Sequence, residues 1–135
     1  MDTNFTNRIS GSMAKLVYPK LSYTIMGILF EVHNKLGTKY QEKHYQRAIE
    51  TKLESLGIPY KREAKVDIEF EGKSLGTFYV DFIVDNKIIL EVKKTWKITQ
   101  DDVKQVLRYL EVTGLKLAII ANFRHKRLEY RRVLH

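Results

Sequence analysis

VDFIVDNKIILEVKK, residues 80–94, reads as two β-strands joined by a short polar turn, and its reading decides the fold. Its valines, isoleucines and leucine suit a buried hairpin, yet Asp81, Glu91 and Lys93 stand among them. Strand side chains alternate, so Ile89, Glu91 and Lys93 share one face while Ile88, Leu90 and Val92 share the other. Both faces are largely apolar, the pattern of a strand in the middle of a covered sheet. An ionised carboxylate there is costly unless it is paired or holds a metal.

Register decides whether Asp81 joins Glu91. A two-residue turn at Asp85-Asn86 pairs Val80 with Glu91 and sends Asp81 to the opposite face. A three-residue turn, Asp85-Asn86-Lys87, sets Asp81 directly opposite Glu91. Three-residue hairpin loops are common, and this is the register expected here. Two opposed carboxylates repel, and a divalent cation between them reverses that sign. Two carboxylates with solvent form a hard-oxygen site suited to Mg²⁺ or Mn²⁺. Lys93, on the same face, is placed to orient water or to stabilise charge on a phosphate. The plain alternative is a surface hairpin with a Lys–Glu ion pair and a solvated aspartate.

Upstream, Leu21, Ile25, Ile28, Leu29, Val32 and Leu36 recur at helical spacing, with Gly37 closing the helix. A second helix is expected from about Gln41 to Leu56, with Tyr45, Ala48, Ile49, Leu53 and Leu56 on one side and Gly57 after it. Val66, Ile68 and Phe70 alternate with Lys65, Asp67 and Glu69 as a half-buried strand whose acids face solvent. The segment EGKSLG, residues 71–76, supplies a turn. Phe78, Val80, Phe82 and Val84 then form the apolar side of the next strand.

Downstream, Thr99 caps a helix that carries Asp101 and Asp102 in its first turn, where the helix dipole favours anions. Val103, Val106, Leu107 and Leu110 give it an apolar face, and Gly114 follows. LKLAIIANF, residues 115–123, is a final buried strand. RHKRLEYRRVLH, residues 124–135, stays open between strand, helix and tail. The order α, α, β, β, β, α, β is a single α/β domain with a mixed central sheet. The domain is expected over residues 19–135. Residues 1–18 are set aside as a tail in which Met13, after Gly11-Ser12, is a candidate natural start.

The 135 residues suffice for one domain with a real core, and 44% hydrophobic content is too high for a disordered chain. No segment approaches the roughly 20 uncharged apolar residues of a membrane span, and the polar N-terminus carries no secretory signal. The absence of cysteine excludes disulfides, thiolate metal sites and cysteine nucleophiles, and fits a cytoplasmic protein. Lysine and arginine outnumber aspartate and glutamate by 24 to 16, a net charge of +8. That balance points to a polyanion, nucleic acid first and an anionic membrane second. Taken with the rest of the reading, the expected partner is DNA, with RNA as the alternative and no membrane.

At Asp81, Glu91 and Lys93 the chain resembles the PD-(D/E)xK nuclease superfamily, with its strand-two aspartate and strand-three Glu-x-Lys. Within it the chain is similar to the GxxExxY family: FEVHNKLG, residues 30–37, resembles that family's first helix, and QEKHYQ, residues 41–46, supplies Glu42 and Tyr45. Lys39 stands where that family has glycine, and Thr38 where proline is usual. VKQVLRYL, residues 103–110, carries Gln105 and Tyr109, similar to the Gln-x-x-x-Tyr of RecB-like nucleases. The resemblance implies a restriction-endonuclease-like α-β-β-β-α-β core behind an extra N-terminal helix. It also implies metal-dependent hydrolysis of DNA phosphodiesters.

Around the acidic pair, the resemblance offers Glu42 as a third acid near the metal; the plain alternative is a helix-start glutamate. Gln105 and Tyr109 share a helix face and are candidates to contact substrate. His33 reads first as a boundary histidine, and the resemblance keeps it as a minor metal candidate; Glu31 reads as solvated. Lys94, Trp96 and Lys97 form a basic-aromatic-basic run suited to phosphate contact and base stacking, although Trp96 reads slightly better as a core plug. Arg124, His125, Lys126, Arg127, Arg131 and Arg132 form a candidate phosphate-binding edge. The leading expectation is a Mg²⁺-dependent DNase, working as a homodimer. A non-catalytic nucleic-acid-binding module and a partner-dependent subunit with the same fold are the competing readings.

Overall fold

The computed structural model describes residues 17–135. Most of the segment set aside as a tail lies outside these residues. Its last two members do not belong with it, because Val17 and Tyr18 pack against the core.

Helix α1 spans Pro19–Leu36 and helix α2 Glu42–Ser55. Strands β1 (Tyr60–Phe70), β2 (Lys73–Val84) and β3 (Ile88–Lys93) follow, then helix α3 (Gln100–Thr113) and strands β4 (Leu117–Asn122) and β5 (Glu129–Leu134). Pro19 opens α1 at a position where its missing N–H costs nothing, and Gly37 stops it at φ +66° with its N–H bonded to the His33 carbonyl. Thr99 caps α3 as expected: its hydroxyl accepts from the Asp102 N–H at 3.2 Å while the Asp102 carboxylate accepts from the Thr99 N–H at 2.9 Å.

The five strands form one sheet in the order β1-β2-β3-β4-β5. Strands β3 and β4 are parallel, joined through α3, and the other pairs are antiparallel. One face is covered by α1 and α2, whose Ile25, Leu29, Tyr45 and Ile49 pack on Phe82, Leu90, Val92 and Ile119. The other is covered by α3, whose Val106, Tyr109 and Leu110 pack on Val66, Val80, Ile89 and Ile120. Each such side chain, fully buried, contributes about 1.5–3 kcal/mol. Strand β3 lies in the middle of this sheet, which is why both of its faces are apolar.

Three local expectations change. Residues 71–76 are not all turn: Glu71 and Gly72, both at positive φ, make a tight reversal, and Lys73 already belongs to β2. Strand β1 begins at Tyr60, ahead of its alternating stretch. The basic C-terminal segment contributes β5 on the sheet edge, where charged side chains are at home.

The β2–β3 hairpin has the expected register, Phe82 opposite Leu90 and Val84 opposite Ile88. Its turn is tighter than three equal loop residues. Asp85 and Asn86 both take φ +53°, and the Lys87 N–H donates to the Val84 carbonyl at 2.9 Å, leaving Lys87 as an added residue. Aspartate and asparagine tolerate that left-handed conformation better than other side chains.

Candidate active site

The site forms where the sheet changes which way its side chains face. On β2, Phe82 and Val84 point to the α1/α2 layer, but Val80 packs in the α3 layer despite its even spacing from them. On β1 the change occurs at the same level. Ala64 and Val66 lie in the α3 layer, while the Arg62 guanidinium sits 4.8 Å from the centre of the Phe82 ring. Between them Glu63 adopts φ +47°. Pairing of β2 with β3 reaches Phe82 and Leu90, so Asp81 and Glu91 are the first residues beyond it.

There the two carboxylates replace the missing backbone acceptors. The Asp81 N–H donates to Glu91 Oε2 at 2.7 Å, and the Val92 N–H donates to Asp81 Oδ2 at 2.7 Å. Each acid thus holds the partner strand through one oxygen. Among the described residues neither makes a further side-chain hydrogen bond, which leaves Oδ1 and Oε1 as acceptors, and neither atom is both buried and unpartnered.

Glu91 is 7% exposed. Burial first, and then the charge of Asp81, push its pKa up to about 7, against the pull of the Asp81 N–H and Lys93. Asp81 is raised too, by burial and then by Glu42, with the Val92 N–H, Lys93 and Arg62 opposing. Both acids are thus shifted upward, because burial and neighbouring negative charge outweigh the positive charge and N–H bonds around them.

Lys93 stands on the same side and acts electrostatically on both acids. Its Nζ is 3.6 Å from Asp102 Oδ1. Sequence reasoning gave Asp102 to the helix dipole alone, since nothing along the chain shows that the start of α3 reaches β3. It likewise missed Arg62, whose guanidinium donates to Glu50 Oε1 at 3.1 Å and Gln46 Oε1 at 3.0 Å and whose charge reaches Asp81. Tyr109 is buried, and its pKa is raised by burial and by the nearby Glu91 and Asp81 charges. Gln105 lies one turn earlier on α3, half-buried.

Glu42, exposed in the first turn of α2, adds to the negative potential at both acids. Its Oε2 accepts the Lys94 N–H at 3.2 Å, and Lys94 Nζ reaches the Tyr40 carbonyl. Among the described residues no three His, Cys, Asp or Glu side chains converge as a metal cage, so the acids of the sheet supply two donors and Glu42 stands outside them. His33 is buried on α1, its Nε2–H given to the His125 carbonyl at 2.8 Å and its ring against Phe123. Glu31 is paired with Lys35 and Lys52.

Tyr45 is structural. Its ring stacks on Phe123 at 4.5 Å, and its hydroxyl donates to the Gly37 carbonyl at 2.7 Å while accepting from the Tyr40 N–H at 3.3 Å. It pins the loop that delivers Glu42. Tyr45→Phe keeps the stacking and frees the loop, so chemical denaturation should show a loss of about 1 kcal/mol. A loss of 3 kcal/mol or more would mean that the hydroxyl holds more than this loop.

Trp96 is not a core plug: it is 71% exposed. Lys97, Arg124, Lys126, Arg127 and Arg131 are exposed as well, whereas Arg132 is half-buried on β5 and its pKa is lowered by burial. No helix among the described residues is long and apolar enough to cross a membrane.

A family model described as the PD-(D/E)XK nuclease superfamily matches residues 19–133. Among solved structures, the crystal structure of SSO0001 is similar, with a TM-score of 0.54 and 16% sequence identity over 69% of this chain and 49% of that one. At that identity the likeness concerns the fold, which is restriction-endonuclease-like, and the chain aligns with about half the length of that protein. No curated protein matches the chain.

Proposed function

We propose that this chain, which belongs to the PD-(D/E)XK nuclease superfamily, is a metal-dependent nuclease that hydrolyses DNA phosphodiester bonds at Asp81, Glu91 and Lys93. The observation that carries the reading is the interlocked acidic pair: two carboxylates placed in core strands, both with pKa raised by burial, each with an oxygen left over. That donor set fits a hard divalent cation, Mg²⁺ or Mn²⁺, with solvent completing the shell. When bound, such an ion polarises the phosphate and eases deprotonation of the attacking water.

The chain's own groups do the rest. The reciprocal bonds between Asp81 and Glu91 fix both carboxylates before any ligand arrives, so little reorganisation is needed. Lys93 Nζ, steadied by Asp102 without being sealed by it, brings positive charge to the phosphate as its negative charge grows. The Tyr109 hydroxyl, kept protonated by burial and by the charges of the two acids, is proposed as a donor to the substrate. Gln105, one turn earlier on the same helix, is proposed to bind substrate with it. Glu42 assists by drawing cations towards the cleft, and it holds Lys94 in place.

Assignment to the GxxExxY branch is supported by the way Tyr45 secures the loop that presents Glu42. Lys94, Lys97, Arg124, Lys126, Arg127 and Arg131 are proposed as phosphate contacts. The net charge of +8 favours such contacts. A homodimer, suited to cutting two strands, and a cytoplasmic location remain part of this proposal. The test is incubation with linear, circular, single-stranded and branched DNA and with RNA, in Mg²⁺, Mn²⁺ or EDTA. Metal-dependent cutting is expected. Binding without cutting in every metal would leave a nucleic-acid-binding module instead.

A further inference from the structure

We infer that Trp96 is a stacking platform for an unpaired nucleobase, which makes a strand with exposed bases the preferred ligand of this site. The inference rests on the nuclease reading and names its substrate class. Trp96 is the only tryptophan in the chain, and at 71% exposure most of its ring meets solvent.

The segment that carries it is held rigidly. Buried Asn122 accepts the Thr95 N–H through Oδ1 at 3.0 Å and donates through Nδ2 to the Thr95 carbonyl at 2.9 Å and to Glu129 Oε1 at 2.8 Å. The Ile98 N–H donates to both Glu129 oxygens at 3.2 Å. The Trp96 carbonyl accepts from the His125 ring, and the His125 carbonyl in turn accepts from buried His33. An exposed aromatic on an anchored backbone loses little freedom on binding, which is the property of a preorganised contact.

Its neighbours give the platform a direction. The Arg124 guanidinium lies over one face of the Trp96 ring, 5.9 Å from its centre, and the His125 ring meets it edge-on at 5.3 Å, so a base would stack on the opposite face. A cation on one face of an aromatic ring leaves the other for a base and brings charge to that base's phosphate. Trp96 is three residues beyond Lys93, so the backbones of the two residues lie within roughly 10 Å of each other. That separation suits a base close to the phosphate being cut. In an intact duplex the faces of the bases are stacked on one another and closed to an indole.

The single tryptophan makes the test direct. Wild-type protein in EDTA is titrated with a single-stranded DNA oligonucleotide, with the same strand made abasic throughout, and with the blunt duplex. Tryptophan fluorescence is followed beside the anisotropy of the labelled strands. The base-bearing strand should quench Trp96 and bind about tenfold more tightly than the abasic strand. Trp96→Ala should erase that difference without altering abasic binding, and Trp96→Phe should keep most of it. Equal binding of the two strands by wild type, or binding without quenching, would overturn the platform, as would the absence of binding. In each case the nuclease reading stands or falls by its own cleavage assay.

Discussion

Glutamine at position 91 should abolish DNA cleavage, by on the order of 10³-fold, and at the same time raise the melting temperature at pH 8. Both effects come from the same geometry. The pKa of Glu91 is near 7 in the folded protein against an ordinary value of 4.5, first because it is buried and next because Asp81 is beside it. Between these two values the folded state holds the proton that the unfolded state has released, so stability falls as pH rises from 4.5 to 7. The whole shift is worth on the order of 3 kcal/mol, and above pH 7 that cost is fully present. Glutamine carries no charge and still offers an oxygen to the Asp81 N–H. A gain of about 2 kcal/mol, several degrees in Tm, is therefore expected at pH 8 and should shrink towards zero at pH 4.5. A variant less stable than wild type at pH 8 would show that the acid is needed for structure and that its charge is compensated by the protein alone.

Replacing Lys93 by methionine separates charge at the phosphate from charge at the cation. The Lys93 side chain is about one-fifth exposed, and its ammonium lies 3.6 Å from Asp102 Oδ1. Methionine preserves the length and packing of the stem. Asp102 keeps its bond from the Thr99 N–H, so stability should change by less than about 1 kcal/mol. Cleavage should fall by about 10²–10³-fold in kcat, with Mn²⁺ affinity within about threefold. Two opposing effects underlie that last figure: losing a positive neighbour favours a cation, while the acids hold their protons more tightly. Single-turnover kinetics beside metal titration measures both. Loss of metal binding together with activity would make Lys93 a part of the acids' scaffold rather than a partner of the phosphate.

The hairpin register was legible in residues 80–94 because a one-residue shift would have turned either the apolar residues or one acid to the wrong side. Helix ends were legible for the same local reason, with Gly37, Gly114 and Thr99 each doing what its side chain, or lack of one, dictates. The change of face at Glu63 and Asp81 was not. Alternation along Phe78, Val80, Phe82 and Val84 predicts one continuous side, whereas Val80 packs in the α3 layer and Phe78 is exposed beside Tyr109. That change depends on carboxylates taking over hydrogen bonds between strands, a tertiary event with no period to betray it. Trp96 was misread for a simpler reason. A lone tryptophan after a core strand reads as apolar filling, and its exposure follows from contacts among Asn122, His125 and Glu129, far along the chain. Asp102 and Arg62 escaped in the same way: each looks like a helix-start acid or a strand-edge base until the fold brings it near the acidic pair.

Calorimetric titration of Mn²⁺ into the wild-type protein at pH 8 and again at pH 6–7, beside Glu91→Gln and Asp81→Asn, tests the central claim that these acids lie in the core strands to hold a divalent cation. One site per chain is predicted for wild type, with protons released on binding at pH 6–7, where Glu91 is partly protonated, and loss of the site in either variant. Equal Mn²⁺ binding by all three proteins would contradict it, and the acidic pair would then be a device for holding β2 to β3.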